Sequence, residues 1–159
     1  MEHQDSSKTV YILVGMPGAG KSTWVGAHVP QPRVVCSADH FFVGADGVYR
    51  FEPNKLFLAH KACYSKFKAA LHDPSPKNIV VDNTNTKRSF IRPFVEEAKL
   101  AGVTNIKIVV IRNGVTPEQA FKRNTHGVPL STIEKMNQEI DNTLSIGFPE
   151  DWNVSVTVV

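Results

Sequence analysis

A glycine-rich segment, GMPGAGKS at residues 15–22, constrains the fold of this chain more than any other feature of the sequence. It fits the pattern G-x-x-x-x-G-K-[ST], in which glycines let the backbone turn tightly around an anion and point its N–H groups inward. The apolar run Thr9–Val14 before it predicts a buried strand, and Lys21–His28 after it predicts a helix. This strand–loop–helix order is the context in which the pattern binds phosphate, because the helix N-terminus directs its positive dipole at the anion.

The residues of this loop have separate predicted tasks. Lys21 should reach the β- and γ-phosphates of a nucleoside triphosphate, and the Ser22 hydroxyl should ligate Mg²⁺. The alternative is a glycine-rich turn with an exposed lysine, which would match by chance in about 1% of chains of this length, since glycine makes up about 7% of residues. The predicted nucleotide-binding residues are Gly15, Pro17, Gly18, Ala19, Gly20, Lys21, Ser22 and Thr23. GTPases, ATPase modules and kinases all use this pattern, so the rest of the chain must distinguish them.

Strand-like and helix-like segments alternate along the rest of the chain. Further strands are predicted at Arg33–Cys36, Asn78–Asp82, 106–111 and 154–158, and further helices at 53–71, 86–101, 117–124 and 131–146. Thr116 and Gln119 have the spacing of a capping box at a helix start. Ser131 and Glu134 have the same spacing, and Thr86 is the expected cap of the helix at 86–101. The alternation predicts an α/β protein with three layers: a mostly parallel, five-stranded sheet with helices on both faces.

The length of 159 residues suits one domain, which we expect at 9–159 after a polar tail at 1–8. The net charge of +3 suits an anionic ligand without requiring one. Cys36 and Cys63 lack CxxC or zinc-ligand spacing, so we expect free buried thiols in a reducing compartment. The N-terminus has no signal-peptide core, and no apolar run approaches the ~20 residues that a membrane span needs. We therefore expect a protein of the cytoplasm, or of the nucleus, without a membrane partner.

Two aspartates follow predicted strands at the edge of the sheet where ligands bind in open parallel folds. Asp39 follows the second strand, where a carboxylate could accept the proton of an acceptor hydroxyl. Asp82 ends the third strand, where it could hold a Mg²⁺-bound water or the acceptor hydroxyl. Both have structural alternatives, Asp39 as a turn residue or N-cap and Asp82 as a capping residue. We expect both to be catalytic, with Asp82 and Ser22 forming the metal site.

A basic segment at about 122–131 separates the last two predicted helices. In P-loop kinases, a basic lid closes over the triphosphate at this place, and an arginine stabilises the charge that develops during transfer. Arg123 is the candidate for that catalytic and nucleotide-binding role. Its alternative is a cation at a helix C-terminus, which is favourable by about 0.3–1 kcal/mol without any catalysis. Gly127 and Pro129 would shape the hinge of the lid.

Several aromatic residues fall near the predicted acceptor side of the site: Phe41, Phe42, Tyr49 and Phe51. Aromatic rings stack on single-stranded bases for roughly 1–3 kcal/mol each, but the same residues could equally pack as core beneath their loop. His60 lies on the apolar stripe of its predicted helix, where a buried core histidine is the expected outcome.

The motifs GMPGAGKSTW, SADHFF, DGVYRFEP, VVDNTNT and KRNTHGVP occur in an order and spacing that resemble the polynucleotide-kinase-like P-loop family. This family includes phage-type 5′-kinases and the ATP-binding domain of the animal ubiquitin-ligase-binding proteins. The resemblance covers about residues 10–142. It implies the strand order 2-3-1-4-5 and a kinase that uses ATP and Mg²⁺ to phosphorylate the 5′-hydroxyl of DNA or RNA.

The resemblance also implies roles for individual residues. Carried over to this sequence, they are phosphate and Mg²⁺ binding by Lys21 and Ser22, general-base catalysis by Asp39, a place beside the acceptor for Asp82 and a lid function for Arg123. The chain departs from the phage-type pattern at Phe42, where those enzymes have an arginine three residues after the base. It also departs at His126, where they have a second lid arginine. Both departures match the animal branch, and they bear on the acceptor more than on the donor.

Three functions remain open at this stage. The first is an ATP-dependent kinase that acts on the 5′ end of a single-stranded nucleic acid. The second is a kinase for a small hydroxyl acceptor such as a nucleoside, a sugar or a cofactor precursor. The third is a non-catalytic nucleotide-binding module that acts through partners. A GTPase is disfavoured, because the chain has no NKxD-type motif to recognise guanine. The sequence leaves the oligomeric state open.

Overall fold

A five-stranded sheet forms the centre of the protein in the computed structural model, which describes residues 8–159. Its strands are β1 (Thr9–Val14), β2 (Arg33–Cys36), β3 (Asn78–Asp82), β4 (Asn105–Val110) and β5 (Ser155–Val158). The strand order is β2-β3-β1-β4-β5, and every neighbouring pair is parallel. The α/β fold and the strand order expected from the sequence are both confirmed.

Helical segments connect the strands. The α-helices are α1 (Lys21–His28), α2 (Leu56–His72), α3 (Arg88–Leu100), α4 (Pro117–Arg123) and α5 (Leu130–Ile146). Short 3-10 turns occupy Ala38–Phe42, Pro53–Lys55 and Glu150–Trp152. The turn at Ala38–Phe42 directly follows β2, so the segment that carries Asp39 is helical rather than an extended loop.

Both faces of the sheet are covered because β1, its central strand, is apolar on both sides. Val10, Ile12 and Val14 belong to the larger core cluster, which includes buried residues of α2, α3 and α5. Tyr11 and Leu13 alternate with them and belong to a second cluster that packs against α1. The three-layer arrangement expected from the sequence is therefore present.

The register of the strands brings several chain segments to one edge of the sheet. Leu13 of β1 pairs with Asp82 of β3, and Val14 pairs with Val110 of β4. Cys36, the last residue of β2, pairs with Val81. Because the strands are parallel, the segments that follow β1, β2, β3 and β4 all emerge at this edge, which positions the candidate site.

The predicted capping residues are correct at the start of α4 and wrong at the starts of α3 and α5. Thr116 and Gln119 form the expected capping box at α4. Thr86 is not a cap: its hydroxyl donates to Glu139 in α5, and Lys87 is the N-cap of α3 without a side-chain hydrogen bond. Ser131 lies inside α5, which begins after Pro129 and also lacks a side-chain cap. The Thr86 hydroxyl is used in a tertiary contact instead of a cap, and the capping-box spacing of Ser131 and Glu134 falls inside α5.

The sequence predicts a polar tail at one end of the chain and a half-buried strand at the other. The predicted tail at 1–8 lies outside the described residues except for Lys8, which is buried and donates to the carbonyl oxygens of Asp73 and Pro76 at 2.7 and 2.5 Å. The last strand was expected to be half-buried, but all four residues of β5 are exposed, since it is an edge strand beside β4. Within residues 8–159, no helix is long and apolar enough to cross a membrane.

Candidate active site

The loop at residues 15–22 keeps a shape that depends on its glycines. Gly18 has φ +81° and Gly20 has φ +102°, both in the left-handed region that favours glycine. A Cβ at Gly18 would collide with the carbonyl oxygen of Ala120, so the loop and α4 approach each other closely. Gly20 is the N-cap of α1 without a side-chain cap, which leaves the first N–H groups of α1 available at the loop. These main-chain donors can receive an anion.

Lys21 folds back over the loop. Its Nζ donates to the carbonyl oxygens of Gly15 at 3.1 Å and Met16 at 2.9 Å. Burial lowers the pKa of Lys21, while the negative charges of Asp82 and Asp39 act in the opposite direction. Both aspartates therefore lie within electrostatic reach of the ammonium, as the sequence predicted from their positions after β2 and β3.

Asp82 and Ser22 face each other across the mouth of the loop. The Ser22 hydroxyl lies 3.5 Å from Oδ2 of Asp82. Burial raises the pKa of Asp82 above its usual range, and the nearby Lys21 lowers it in part. The two oxygens suit Mg²⁺, which prefers oxygen ligands and usually keeps several waters together with substrate phosphates. No cluster of three or more His, Cys, Asp or Glu side chains suited to a metal occurs among residues 8–159, so phosphates and water would have to complete the coordination.

Asp39 lies in the 3-10 turn that follows β2. Ser37 is the N-cap of the 3-10 turn, and its hydroxyl accepts the N–H of Asp39 at 3.2 Å. The Asp39 carboxylate contacts Tyr49, whose hydroxyl donates to Oδ1 at 3.3 Å. Its Oδ2 lies 3.4 Å from Nδ1 of His126 in the predicted lid. Asp39 is thus held by a side chain of the neighbouring loop and by one from beyond α4.

Arg123 is not brought together with the other predicted site residues. It is the last residue of α4, and its exposed side chain makes no hydrogen bond or ion pair with any residue in the described part of the chain. Its position at a helix C-terminus fits the structural alternative given above. A catalytic or nucleotide-binding role for Arg123 therefore remains a prediction that needs a movement of the lid.

The aromatic residues divide between core and surface. Phe42 is buried and makes edge contacts with Phe41, Tyr49 and Phe51. Phe41 and Phe51 are 42% and 45% exposed, so two rings in contact with Phe42 remain available at the surface. The expectation for His60 is wrong: it is exposed, because the buried residue of this turn of α2 is its neighbour Ala59.

Sequence reasoning missed three asparagines that hold the site together. Asn83 accepts the N–H of Ala38 at 2.9 Å and so joins the ends of β3 and β2. Asn85 donates to the carbonyl oxygen of Leu13 at 2.8 Å, and Asn113 donates to that of Ala19 at 2.9 Å. Asn85 and Asn113 both have positive φ, which asparagine tolerates better than most residues. The position of each asparagine just after a strand was the available signal in the sequence. The groups that these side chains bind, however, are distant in sequence.

A family model for an AAA domain matches residues 10–142, so the chain belongs to this family. A chain in the structure of the Pnkp1/Rnl/Hen1 RNA repair complex is similar with a TM-score of 0.71 and 22% identity, covering 93% of this chain and 48% of that chain. A second structure of the Pnkp1/Rnl/Hen1 complex gives a TM-score of 0.58 and 22% identity, over 77% of this chain and 41% of that chain.

A gluconokinase from Sinorhizobium meliloti 1021 gives a TM-score of 0.56 and 15% identity, covering 97% of this chain and 83% of that chain. At these identities the likeness establishes the fold. The present chain spans less than half of the length of the chains that it matches in the two Pnkp1/Rnl/Hen1 structures. The protein is a P-loop domain of this family, and its fold agrees with the polynucleotide-kinase-like resemblance.

Proposed function

We propose that this protein is an ATP-dependent kinase that transfers the γ-phosphoryl group to the 5′-hydroxyl of a polynucleotide. The observation that carries the proposal is the pairing of a phosphate-binding loop with Asp39 across one cleft. The charges of Asp82 and Asp39 both act on the Lys21 ammonium, and the Ser22 hydroxyl lies 3.5 Å from Oδ2 of Asp82. A cleft with these parts favours transfer to an alcohol over simple nucleotide binding.

The residues of the chain divide the chemistry between them. The main-chain N–H groups at the start of α1 and the Lys21 ammonium hold the β- and γ-phosphates. Asp39 orients the acceptor hydroxyl and takes its proton while the oxygen bonds to the γ-phosphorus. The bond from that phosphorus to the bridging oxygen breaks, and its electron pair leaves with ADP. A carboxylate base of this kind contributes about 10²–10⁴-fold.

Ser22 and Asp82 are the proposed Mg²⁺ site. When bound, the cation would neutralise charge on the phosphate oxygens. Closure of residues 122–131 would bring Arg123 towards the same charge. Both roles belong to the proposal, and each predicts that removing the side chain affects transfer more than folding.

A polynucleotide acceptor is favoured by the exposed rings of Phe41 and Phe51, in the segment that follows Asp39. Such rings can stack on the bases of a single strand. The fold similarity to chains of an RNA repair complex also supports this choice. A small hydroxyl acceptor is the second candidate, supported by the similarity to a gluconokinase and by Phe42, which leaves no cation at that position.

The test is transfer of labelled γ-phosphate from ATP to 5′-hydroxyl DNA and RNA oligonucleotides, with a panel of nucleosides and sugars in parallel. We expect transfer to an oligonucleotide, loss of ATP affinity in Lys21→Ala, and retained ATP binding with little transfer in Asp39→Asn. Asp46→Asn is the matched control, because Asp46 is an exposed aspartate that pairs with Arg50 in the neighbouring loop. Transfer only to a small acceptor would support the second candidate. ATP binding with no transfer to any acceptor would support the non-catalytic module.

A further inference from the structure

Both carboxylate oxygens of Asp39 are engaged, and each by a different ring. The Tyr49 hydroxyl donates to Oδ1 at 3.3 Å, and Nδ1 of His126 lies 3.4 Å from Oδ2. The two rings stack on each other, with centroids 4.0 Å apart and planes inclined by 15°. Since the Asp39 side chain is 52% exposed, little else restricts its rotation. The stack and the carboxylate form a closed triangle of contacts, here called the ring clamp.

The Tyr49 side of the ring clamp is fixed by its own loop. Tyr49 forms a β-bridge with Val43, and the N–H of Arg50 donates to the carbonyl oxygen of Phe42 at 2.9 Å. Burial raises the pKa of Tyr49 to about 12, with the Asp39 charge acting in the same direction, so the phenol stays a hydrogen-bond donor at neutral pH. The ring is therefore presented to Asp39 by a short, hydrogen-bonded hairpin.

The His126 side belongs to a different part of the chain, the segment between α4 and α5. The N–H of His126 donates to the side chain of Asn124 at 2.9 Å, and Gly127 after it has φ +72°. This tight turn directs the imidazole towards Asp39. The segment after α4 thus reaches the Asp39 side of the cleft through His126, which stacks on Tyr49 and contacts Asp39.

We propose that Tyr49 and His126 are positioning residues that orient the Asp39 carboxylate for the acceptor hydroxyl and couple the lid to the acceptor side of the cleft. The catalytic part of this inference rests on the proposed function, in which Asp39 is the base. A carboxylate offers about four lone-pair sites, so contacts with two side chains fix its plane and still leave sites for the hydroxyl group of the substrate. Without the ring clamp, an exposed carboxylate samples several rotamers and meets the acceptor in few of them.

Conservative variants separate the stacking of each ring from its polar contact with Asp39. Tyr49→Phe and His126→Phe keep an aromatic ring for stacking and remove the polar contact with Asp39. His126→Gln keeps a donor and removes the ring. Tyr64→Phe is the control for the first variant, because the Tyr64 hydroxyl also donates to a carboxylate, that of Glu97 in α3 at 3.0 Å, and not to Asp39. His28→Phe is the control for the second, because His28 stacks on Trp24 at the end of α1.

The kinetic test compares these variants on the acceptor that the parent protein phosphorylates. We expect Tyr49→Phe and His126→Phe each to lower kcat about 5-fold or more, the effect of losing one ordinary hydrogen bond, with an unchanged KM for ATP. His126→Gln should recover part of the loss of His126→Phe. In an Asp39→Asn background, the same changes should have no further effect. Variants within twofold of the parent, or equal losses in the Asp39→Asn background, would overturn the positioning role.

A second readout does not depend on catalysis. Hydrogen exchange of residues 124–129 in the nucleotide-free protein should become faster in Asp39→Asn, Tyr49→Phe and His126→Phe, and stay at the parent rate in Tyr64→Phe and His28→Phe. Unchanged exchange in all three clamp variants would refute the ring clamp even if the protein is a kinase. If exchange is faster in the three variants but the parent protein phosphorylates no acceptor, the ring clamp is retained and the proposed kinase is rejected.

Discussion

Gly18 is the residue of the phosphate loop that leaves least room for any other side chain. It has a positive φ, and a Cβ there would meet the main chain of Ala120 rather than a flexible side chain. We expect Gly18→Ala to destabilise the protein by about 1–3 kcal/mol, the range for strained backbone, and to weaken ATP binding. Urea unfolding and calorimetric titration with ATP would measure both effects.

Gly26 provides the matched control for this substitution. It lies in α1, and a Cβ there would meet no atom within 4 Å. Gly26→Ala should therefore stabilise the protein by about 0.5–1 kcal/mol through helix propensity and leave ATP binding intact. If both alanine variants behaved alike, close approach of the loop to α4 would not explain the need for glycine at residue 18.

The two cysteines should be inert in the folded protein. Burial raises the pKa of Cys36 to about 12, and it also raises the pKa of Cys63, although Asn83 lowers the latter in part. Because the thiolate is the reactive form, neither thiol should react with iodoacetamide at pH 8 within a time that labels the unfolded chain fully. Mass spectrometry of native and urea-unfolded samples would test this, and rapid native labelling would contradict it.

At the residue scale, sequence reasoning succeeds where position along a strand determines position in space. Asp39 and Asp82 could be placed near Lys21 because the ends of parallel strands share one edge of the sheet. Arg123 could not be placed, since the conformation of the segment after α4 depends on contacts that no local pattern encodes. The contact of His126 with Asp39 was out of reach for the same reason, although both residues were conspicuous in the sequence.

At the element scale, the N-termini of α4 and α5 offer a direct comparison of two apparent capping boxes. Thr116→Ala should cost about 1 kcal/mol of stability. The Thr116 hydroxyl accepts the N–H of Gln119, and the Gln119 side chain accepts the N–H of Thr116. Ser131→Ala should change stability by less than about 0.5 kcal/mol, because Ser131 is an exposed residue inside α5. Thermal unfolding of both variants would measure the difference. Equal losses would show that the assigned helix start is wrong.

The contact between α5 and the start of α3 should make stability depend on pH. The Thr86 hydroxyl and Lys87 hold the pKa of Glu139 below its usual range, although partial burial acts in the opposite direction. Because the folded pKa is the lower one, this stabilisation is complete above about pH 4.3 and is lost as the pH falls through the lowered value. Glu139→Gln should thus cost about 1 kcal/mol at pH 7 and less at pH 3 in urea unfolding. An equal cost at both pH values would contradict the shift.

The elements themselves follow closely from periodicity and composition. The predicted bounds of β1, β2, β3 and α1 agree with the structure, because each is a short segment with clear ends in glycine, proline or polar residues. The predicted burial of β5 was wrong, because alternating apolar and polar residues cannot tell an edge strand with an uncovered face from a half-buried strand. The start of α3 was wrong because the Thr86 hydroxyl is used in a tertiary contact, and the start of α5 was wrong because Ser131 lies inside the helix.

At the scale of the whole molecule, β1 divides the site into two halves. The segments after β2 and β3 bring Asp39, Asp82 and the aromatic residues to one side of it. The segment after β4 leads to α4 and the predicted lid on the other side. Only the loop after β1 lies between them, so under the proposed function donor and acceptor approach from opposite directions.

This division has a consequence for the order of events in a catalytic cycle. Under the proposed function, the γ-phosphoryl group passes directly from ATP to the acceptor, so the transfer needs both substrates in the cleft at once. Initial rates measured at varied ATP and acceptor should therefore give intersecting double-reciprocal lines, as a ternary complex requires. Parallel lines would instead indicate a phosphorylated enzyme and a ping-pong route.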